Sequence, residues 1–163
     1  MQVTRERLVR WEDPHPTAGV LRQSSGLEGL RAIVEGRIPR PPISVLINFA
    51  VTEVEEGRVV VEGYPGEEHY NPIGSVHGGF ALTLFDTAMS CAIHSLLPAG
   101  VAYTTTDVQV RFIRGLNKDT GPVRCEATAL HVGRSTAVAE GKLRDGEGRL
   151  LGVGTTACAV FRS

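Results

Sequence analysis

The pattern of apolar and polar positions divides the chain into one helix-period stretch, one long apolar run and several period-two stretches. Leu27, Leu30, Ile33 and Val34 recur at helical spacing, which predicts a short amphipathic helix over residues 26–35. Three prolines in residues 36–42 fix φ and remove donors, so this segment is a rigid connector. Residues 43–53 and 58–64 read as strands around a turn at Glu55-Glu56-Gly57, with Val59 and Val61 on one side. The run of residues 78–97 is apolar on nearly every face and predicts a buried helix, stopped by Pro98-Ala99-Gly100. Residues 104–114 alternate, with Thr104, Thr106, Val108, Val110 and Phe112 assigned to one face and Asp107, Gln109 and Arg111 to the other. Residues 123–132 and 135–144 form a hairpin around Gly133-Arg134, and Asp145-Gly146-Glu147-Gly148 turns into a last strand over residues 150–161. Hairpin connections give antiparallel pairing, and one long apolar helix needs a sheet wrapped around it.

Residues 1–24 are charged, contain prolines and a single tryptophan, Trp11, and read as an N-terminal arm. They carry no apolar stretch of the kind that makes a secretory signal. The run from residue 76 to 102 is broken by Thr83, Asp86, Ser90, His94 and Ser95, so it is too interrupted to span a membrane. The chain has 163 residues, of which 42% are hydrophobic and 21% charged, which fits one domain around one core. A net charge of −1 and the lack of long Lys/Arg blocks argue against nucleic acid or an anionic membrane as partner. Cys91, Cys125 and Cys158 are far apart, odd in number and without metal-ligand spacing, which points to reduced thiols, a cytoplasmic location and no metal. His69, His94 and His131 likewise share no ligand spacing.

The candidate chemistry lies in Asn71-Pro72-Ile73-Gly74-Ser75-Val76-His77-Gly78-Gly79 and the helix that follows. A lone carboxylate, Asp86, inside an apolar helix is costly unless it is paired or used. The free N–H groups of a helix start form an electropositive spot suited to a carbonyl oxygen that gains negative charge. Together they predict a site that attacks a carbonyl.

The element order and several local motifs resemble the hotdog-fold acyl-CoA thioesterases of the phenylacetate-degradation type. The matching residues are Pro41-Pro42-Ile43, Asn71-x-x-Gly74-x-x-His77-Gly78-Gly79, Leu82-x-x-Phe85-Asp86-x-Ala88, Thr105-Thr106-Asp107 with Val110-x-Phe112, and Gly133-Arg134-Ser135-Thr136. The likeness covers roughly residues 38–162, and residues 1–37 match nothing in it. It divides the chain into an arm with a short helix over residues 1–37 and a hotdog domain over residues 38–163. The resemblance implies an α+β fold, a curved antiparallel sheet wrapped around a long central helix. It further implies a homodimer, often a homotetramer, that hydrolyses a small aryl- or medium-chain acyl-CoA to the free acid and CoA. No metal or cofactor is implied, CoA being part of the substrate.

Roles follow residue by residue. The Gly78 N–H binds the thioester oxygen, and Gly78 and Gly79 let the acyl group approach the backbone. Asp86 is the nucleophile or the general base on water, and the sequence leaves both open. Asn71 orients the water or the thioester. Thr105 aligns with a water-positioning hydroxyl of some relatives, with Thr104 and Thr106 as neighbours one register away. His77 either fixes the turn or polarises the leaving group. Arg134 and Ser135 form a hairpin turn and, by resemblance, a contact to the CoA tail. Gly78 and Asp86 are eight residues apart, about 12 Å along a helix, whereas an attacking group must lie within about 3–3.5 Å of its carbonyl. One chain therefore cannot bring both to one thioester, and two chains related by a two-fold axis can. Two rival readings are a non-catalytic acyl-CoA-binding protein and a hotdog hydratase or dehydratase. The latter needs a histidine five residues after the acid, where this chain has Cys91.

Overall fold

The computed structural model describes residues 3–162; residues 1, 2 and 163, at the ends of the two predicted segments, lie outside the described residues. Three short helices precede the sheet: α1 (Pro14–Gln23), α2 (Gly26–Val34) and α3 (Pro42–Ile47). The strands β1 (Phe49–Glu55) and β2 (Arg58–Gly63) form a hairpin, the long helix α4 (Gly78–His94) follows, and β3 (Ala102–Phe112), β4 (Val123–Val132), β5 (Thr136–Asp145) and β6 (Leu150–Phe161) complete the chain. Among the described residues the strands make one six-stranded sheet in the order β1-β2-β4-β5-β6-β3, antiparallel at every junction.

The sheet curls around α4. Val59, Val61, Val123, Cys125, Ala137, Ala139, Leu143 and Cys158 point inward from four strands and meet Phe80, Leu84, Phe85, Met89 and Ile93 of the helix. Phe85 and Met89 have no exposed surface. Full burial of such a side chain contributes about 1.5–3 kcal/mol, so this layer accounts for much of the folding energy. The helix approaches the sheet closely because glycines face it. A Cβ on Gly154 would lie 3.0 Å from Phe85 Cδ1, and one on Gly63 would lie 2.6 Å from Leu84 Cδ2's geminal methyl, Cδ1. On the outer face, Arg58 donates to Glu53 and Glu126, and Arg124 to Glu53, tying β1, β2 and β4 together.

Several expectations need correction. Residues 43–47 are not strand: Pro42 opens α3 at its first turn, where a missing N–H costs nothing, and Asn48 ends it in the left-handed region at φ 66°. Within residues 1–24, α1 forms with Pro14 in its first turn and the Asp13 side chain accepting from the His15 N–H at 2.9 Å. The central helix ends at His94, three residues early, because the Ser95 hydroxyl turns back to the Ala92 carbonyl at 2.7 Å and accepts from the Gly57 N–H at 2.8 Å. Nor is α4 buried all round. Leu82 is 39% exposed, and Thr83, Asp86, Thr87, Cys91 and His94 are half-buried along the same stripe. The sheet edges β1 and β3 do not meet, and this stripe faces the gap between them.

Candidate active site

In β3 the register slips between Thr105 and Asp107 against β6, a bulge that adds one residue and reverses the alternation. Tyr103, Thr105, Val108 and Val110 are consequently the half-buried positions, and Thr104 and Thr106 are exposed. The single face assigned above to Thr104, Thr106 and Val108 does not exist. The bulge turns Thr105 toward α4, where its hydroxyl donates to Asp86 Oδ1 at 2.9 Å. A carboxylate with one oxygen held by a hydroxyl keeps its other oxygen for water or for a carbonyl.

The side chains around Asp86 are half-buried or buried. Cys91, one helical turn on, has its thiol pushed up to about 12, first by burial and then by the charge of Asp86. The Tyr103 phenol is held well above its ordinary range by burial, with smaller contributions from Cys91 and Asp86. Cys158 Sγ lies 4.0 Å from Thr105 Oγ1, and burial raises its thiol as well. None of these thiols is a ready nucleophile, and all three cysteines are free. Neither Tyr103 nor Cys158 was assigned to the site from the sequence. Tyr103 carried a usable signal, since it stands two residues before Thr105 and thus on the same face.

The helix start is built by the loop before it. Asn71 is an organiser of this loop: its Oδ1 accepts from the N–H groups of Ile73 at 3.1 Å and Ser75 at 3.2 Å, while Nδ2 donates to the Ser75 hydroxyl at 3.0 Å. The Val76 N–H donates to the Leu116 carbonyl, pinning the loop to the body. His77 is the N-cap of α4, its Nδ1 accepting from the Gly79 N–H at 2.8 Å. The Gly78 N–H has no acceptor among the described residues. A Cβ on Gly78 would stand 3.1 Å from the Phe112 ring, so this N–H opens beside an aromatic wall.

Within one chain the predicted residues fall into three groups. Asp86 meets Thr105. Asn71, His77, Gly78 and Gly79 gather two helical turns away at the start of α4. Arg134 and Ser135 lie in the β4–β5 turn, where the Val160 N–H donates to the Ser135 carbonyl at 2.9 Å. That turn is at the same end of the sheet as Thr105, because Thr105 pairs with Cys158 and Cys158 with Ala137.

Residues 73–151 match the model of the thioesterase superfamily. A 1,4-dihydroxy-2-naphthoyl-CoA hydrolase of Listeria monocytogenes is 30% identical over 115 residues, which cover 70% of this chain and 91% of that protein. Among solved structures, a thioesterase from Haemophilus influenzae superposes with a TM-score of 0.72 at 20% identity, covering 86% of this chain and 94% of that one. The E. coli PaaI protein from the phenylacetic acid degradation operon does so with a TM-score of 0.72 at 19% identity, covering 85% and 95%. The α+β architecture of a curved antiparallel sheet around one long helix is that of these hotdog proteins. The chain belongs to the thioesterase superfamily and is a hotdog-fold thioester hydrolase.

Proposed function

We propose that this enzyme hydrolyses a small aryl- or medium-chain acyl-CoA to the free acid and CoA, with Asp86 of one protomer and the Gly78 N–H of a second protomer acting on one thioester. The observation that carries this reading is the Asp86–Thr105 pair on the uncovered stripe of α4. A half-buried carboxylate, positioned by a hydroxyl and open on the other oxygen, is placed to act rather than to hold the core together. The naphthoyl-CoA named for the Listeria relative supports the aryl class.

In the proposed step the thioester oxygen accepts a hydrogen bond from the Gly78 N–H, and this bond together with the dipole of the α4 start stabilises its developing charge. Asp86 either takes the proton of an attacking water or attacks the carbonyl itself to give a mixed anhydride that water then opens. In both routes the carbon–sulfur bond breaks, CoA leaves with a proton and the acid keeps the oxygen from water. Arg134 and Ser135, exposed in the β4–β5 turn, are the proposed contacts to a phosphate of the CoA tail. Asp86 and the backbone donors supply the groups this reaction needs, so the proposal includes no metal and no cofactor beyond the CoA of the substrate. We place the reaction in the cytoplasm, the compartment that keeps thiols such as Cys91, Cys125 and Cys158 reduced. No helix among the described residues is long and apolar enough to cross a membrane.

A homodimer follows from the spacing of about 12 Å between Gly78 and Asp86, and the tetramer built from it is what the family resemblance implies. The structure leaves surface for a second copy: β3 has no partner strand on its outer edge among the described residues, and Phe112, Ile113 and Ile73 are exposed nearby. The test is thiol release from a panel of acyl- and aryl-CoA substrates, wild type beside Asp86→Asn. Loss of the acid is expected to lower kcat by about 10²–10⁴-fold. A fully active Asp86→Asn enzyme would remove the acid from the mechanism, and CoA binding with no thiol release by wild type would favour the acyl-CoA-binding protein.

A further inference from the structure

The lower half of the uncovered stripe on α4 is not open to solvent. Helices α1, α2 and α3 stand over it and leave an apolar cleft of about 360 Å³. Leu21, Ile33 and Ile43 form its roof, and Thr87, Cys91 and Tyr103 its floor. All three roof residues precede residue 73, where the match to the thioesterase superfamily begins.

The floor connects the cleft to the candidate acid. Thr87 is the residue after Asp86, and Tyr103 stands on the same face of β3 as Thr105, about 7 Å along the strand. Both Cys91 and Tyr103 feel the charge of Asp86. From Thr87 the floor runs to His94, about 10 Å along the helix. Burial lowers the proton affinity of the His94 ring there, and the ring packs on Tyr103 with centroids 4.9 Å apart. A cavity of about 150 Å³ holds one benzene ring, so 360 Å³ has room for two fused rings or a medium-length chain.

We infer that this cleft is the acyl pocket of the same protomer's Asp86, and that the N-terminal helices α1–α3 set which acyl group the enzyme accepts: an uncharged apolar one, about 10 Å deep. This rests on the thioesterase reading above. The thioester carbonyl sits at the Asp86–Thr105 pair, the CoA moiety leaves toward the partner, and the acyl tail runs under α1 and α2 toward His94. The lining holds no carboxylate, and the single cation is Arg22, exposed in the last turn of α1. An acyl group with a terminal charge would therefore enter without a buried partner, which is disfavoured.

The test fills the cleft from opposite walls. Ala18→Phe acts from α1 and Ala102→Phe from the start of β3, both in the lining. Ile43→Ala widens it at a position that is 48% exposed, so folding is spared. The readout is kcat/KM over a series from butanoyl- to dodecanoyl-CoA with 2-naphthoyl-CoA, together with calorimetric binding of S-octyl-CoA, a thioether that is not hydrolysed. Each Phe variant is expected to lower the preference for octanoyl over butanoyl thioester by about 10- to 100-fold, and Ile43→Ala to move the optimum to longer chains. An unaltered chain-length profile in all three, with hydrolysis intact, overturns the inference and leaves the thioesterase reading standing. If wild type hydrolyses nothing yet binds S-octyl-CoA, and Ala18→Phe weakens that binding, the hydrolase mechanism falls and the acyl cleft stands. Absence of S-octyl-CoA binding to wild type overturns the cleft.

Discussion

At the residue scale, two half-buried histidines couple this fold to acidity. His94 Nδ1 and His69 Nε2 are buried with no hydrogen-bond partner, and burial lowers the proton affinity of both rings. Each ring packs on an aromatic neighbour, His94 on Tyr103 and His69 on Phe80. The unfolded chain binds protons at these rings from about pH 6.5 downward, the ordinary histidine value, while the native state binds them only at lower pH. Across that window the unfolded state holds more protons, so stability falls as pH falls. Thermal melts are expected to shift downward between pH 7 and pH 5, and His94→Phe, which cannot protonate, is expected to flatten that dependence. A slope equal to wild type in the variant would remove His94 from the account. Asp86 illustrates the same scale in a different way: its identity as a candidate was legible from one acid in an apolar run, whereas its partner Thr105 was one of three adjacent threonines until the bulge chose it.

At the element scale, the distance between α4 and the sheet is set by small residues on the strands. Gly141, Gly152 and Gly154 lie on neighbouring strands β5 and β6 under Phe85, and a Cβ on any of them would meet the ring at 3.0–3.4 Å. For Gly154 the added carbon would also stand 3.2 Å from the Gln109 carbonyl oxygen, a backbone atom on β3 that cannot rotate away. Gly154→Val is therefore expected to destabilise by about 1–3 kcal/mol, as overpacking does, despite a side chain well suited to strands. Urea unfolding of the variant measures this, and a midpoint equal to wild type would mean that the helix shifts at no cost. The elements themselves were legible where helix or strand formers ran between turn signals, as in α2, β2, β4, β5 and β6. The segment 43–47 was not, because Ile43, Val45 and Leu46 are strand formers by composition. The backbone constraint of Pro41-Pro42 and the left-handed Asn48 outweighs that composition.

At the scale of the whole molecule, the decisive feature is that the fold separates the two halves of the proposed chemistry. The free Gly78 N–H is at the start of α4 and the Asp86–Thr105 pair is two turns along it. Complementation between two inactive variants tests whether a second copy joins them. Asp86→Asn removes the acid, and Gly78→Pro removes the N–H at the first helical position, where proline is tolerated. Each variant alone is expected to be inactive. Co-expressed as a heterodimer, they leave one site with a native Gly78 from one chain and a native Asp86 from the other, so activity is expected to return. No recovery in a verified heterodimer would place both groups in sites of a single chain.

By itself the sequence determined the order of the strands around one central helix, the lone acid and the glycine pair, because each is a local pattern of period, polarity or backbone freedom. It also determined that the two groups are too far apart along one helix to meet, since helical rise is fixed. Tertiary structure alone decided which threonine reaches Asp86, because a one-residue bulge reverses every side chain after it. It alone showed that α4 keeps a stripe the sheet does not cover, and that α1–α3 roof part of that stripe. Such features depend on which surfaces meet across the chain, 19 residues apart for Asp86 and Thr105 and farther for the roofing helices, and no local pattern carries that information.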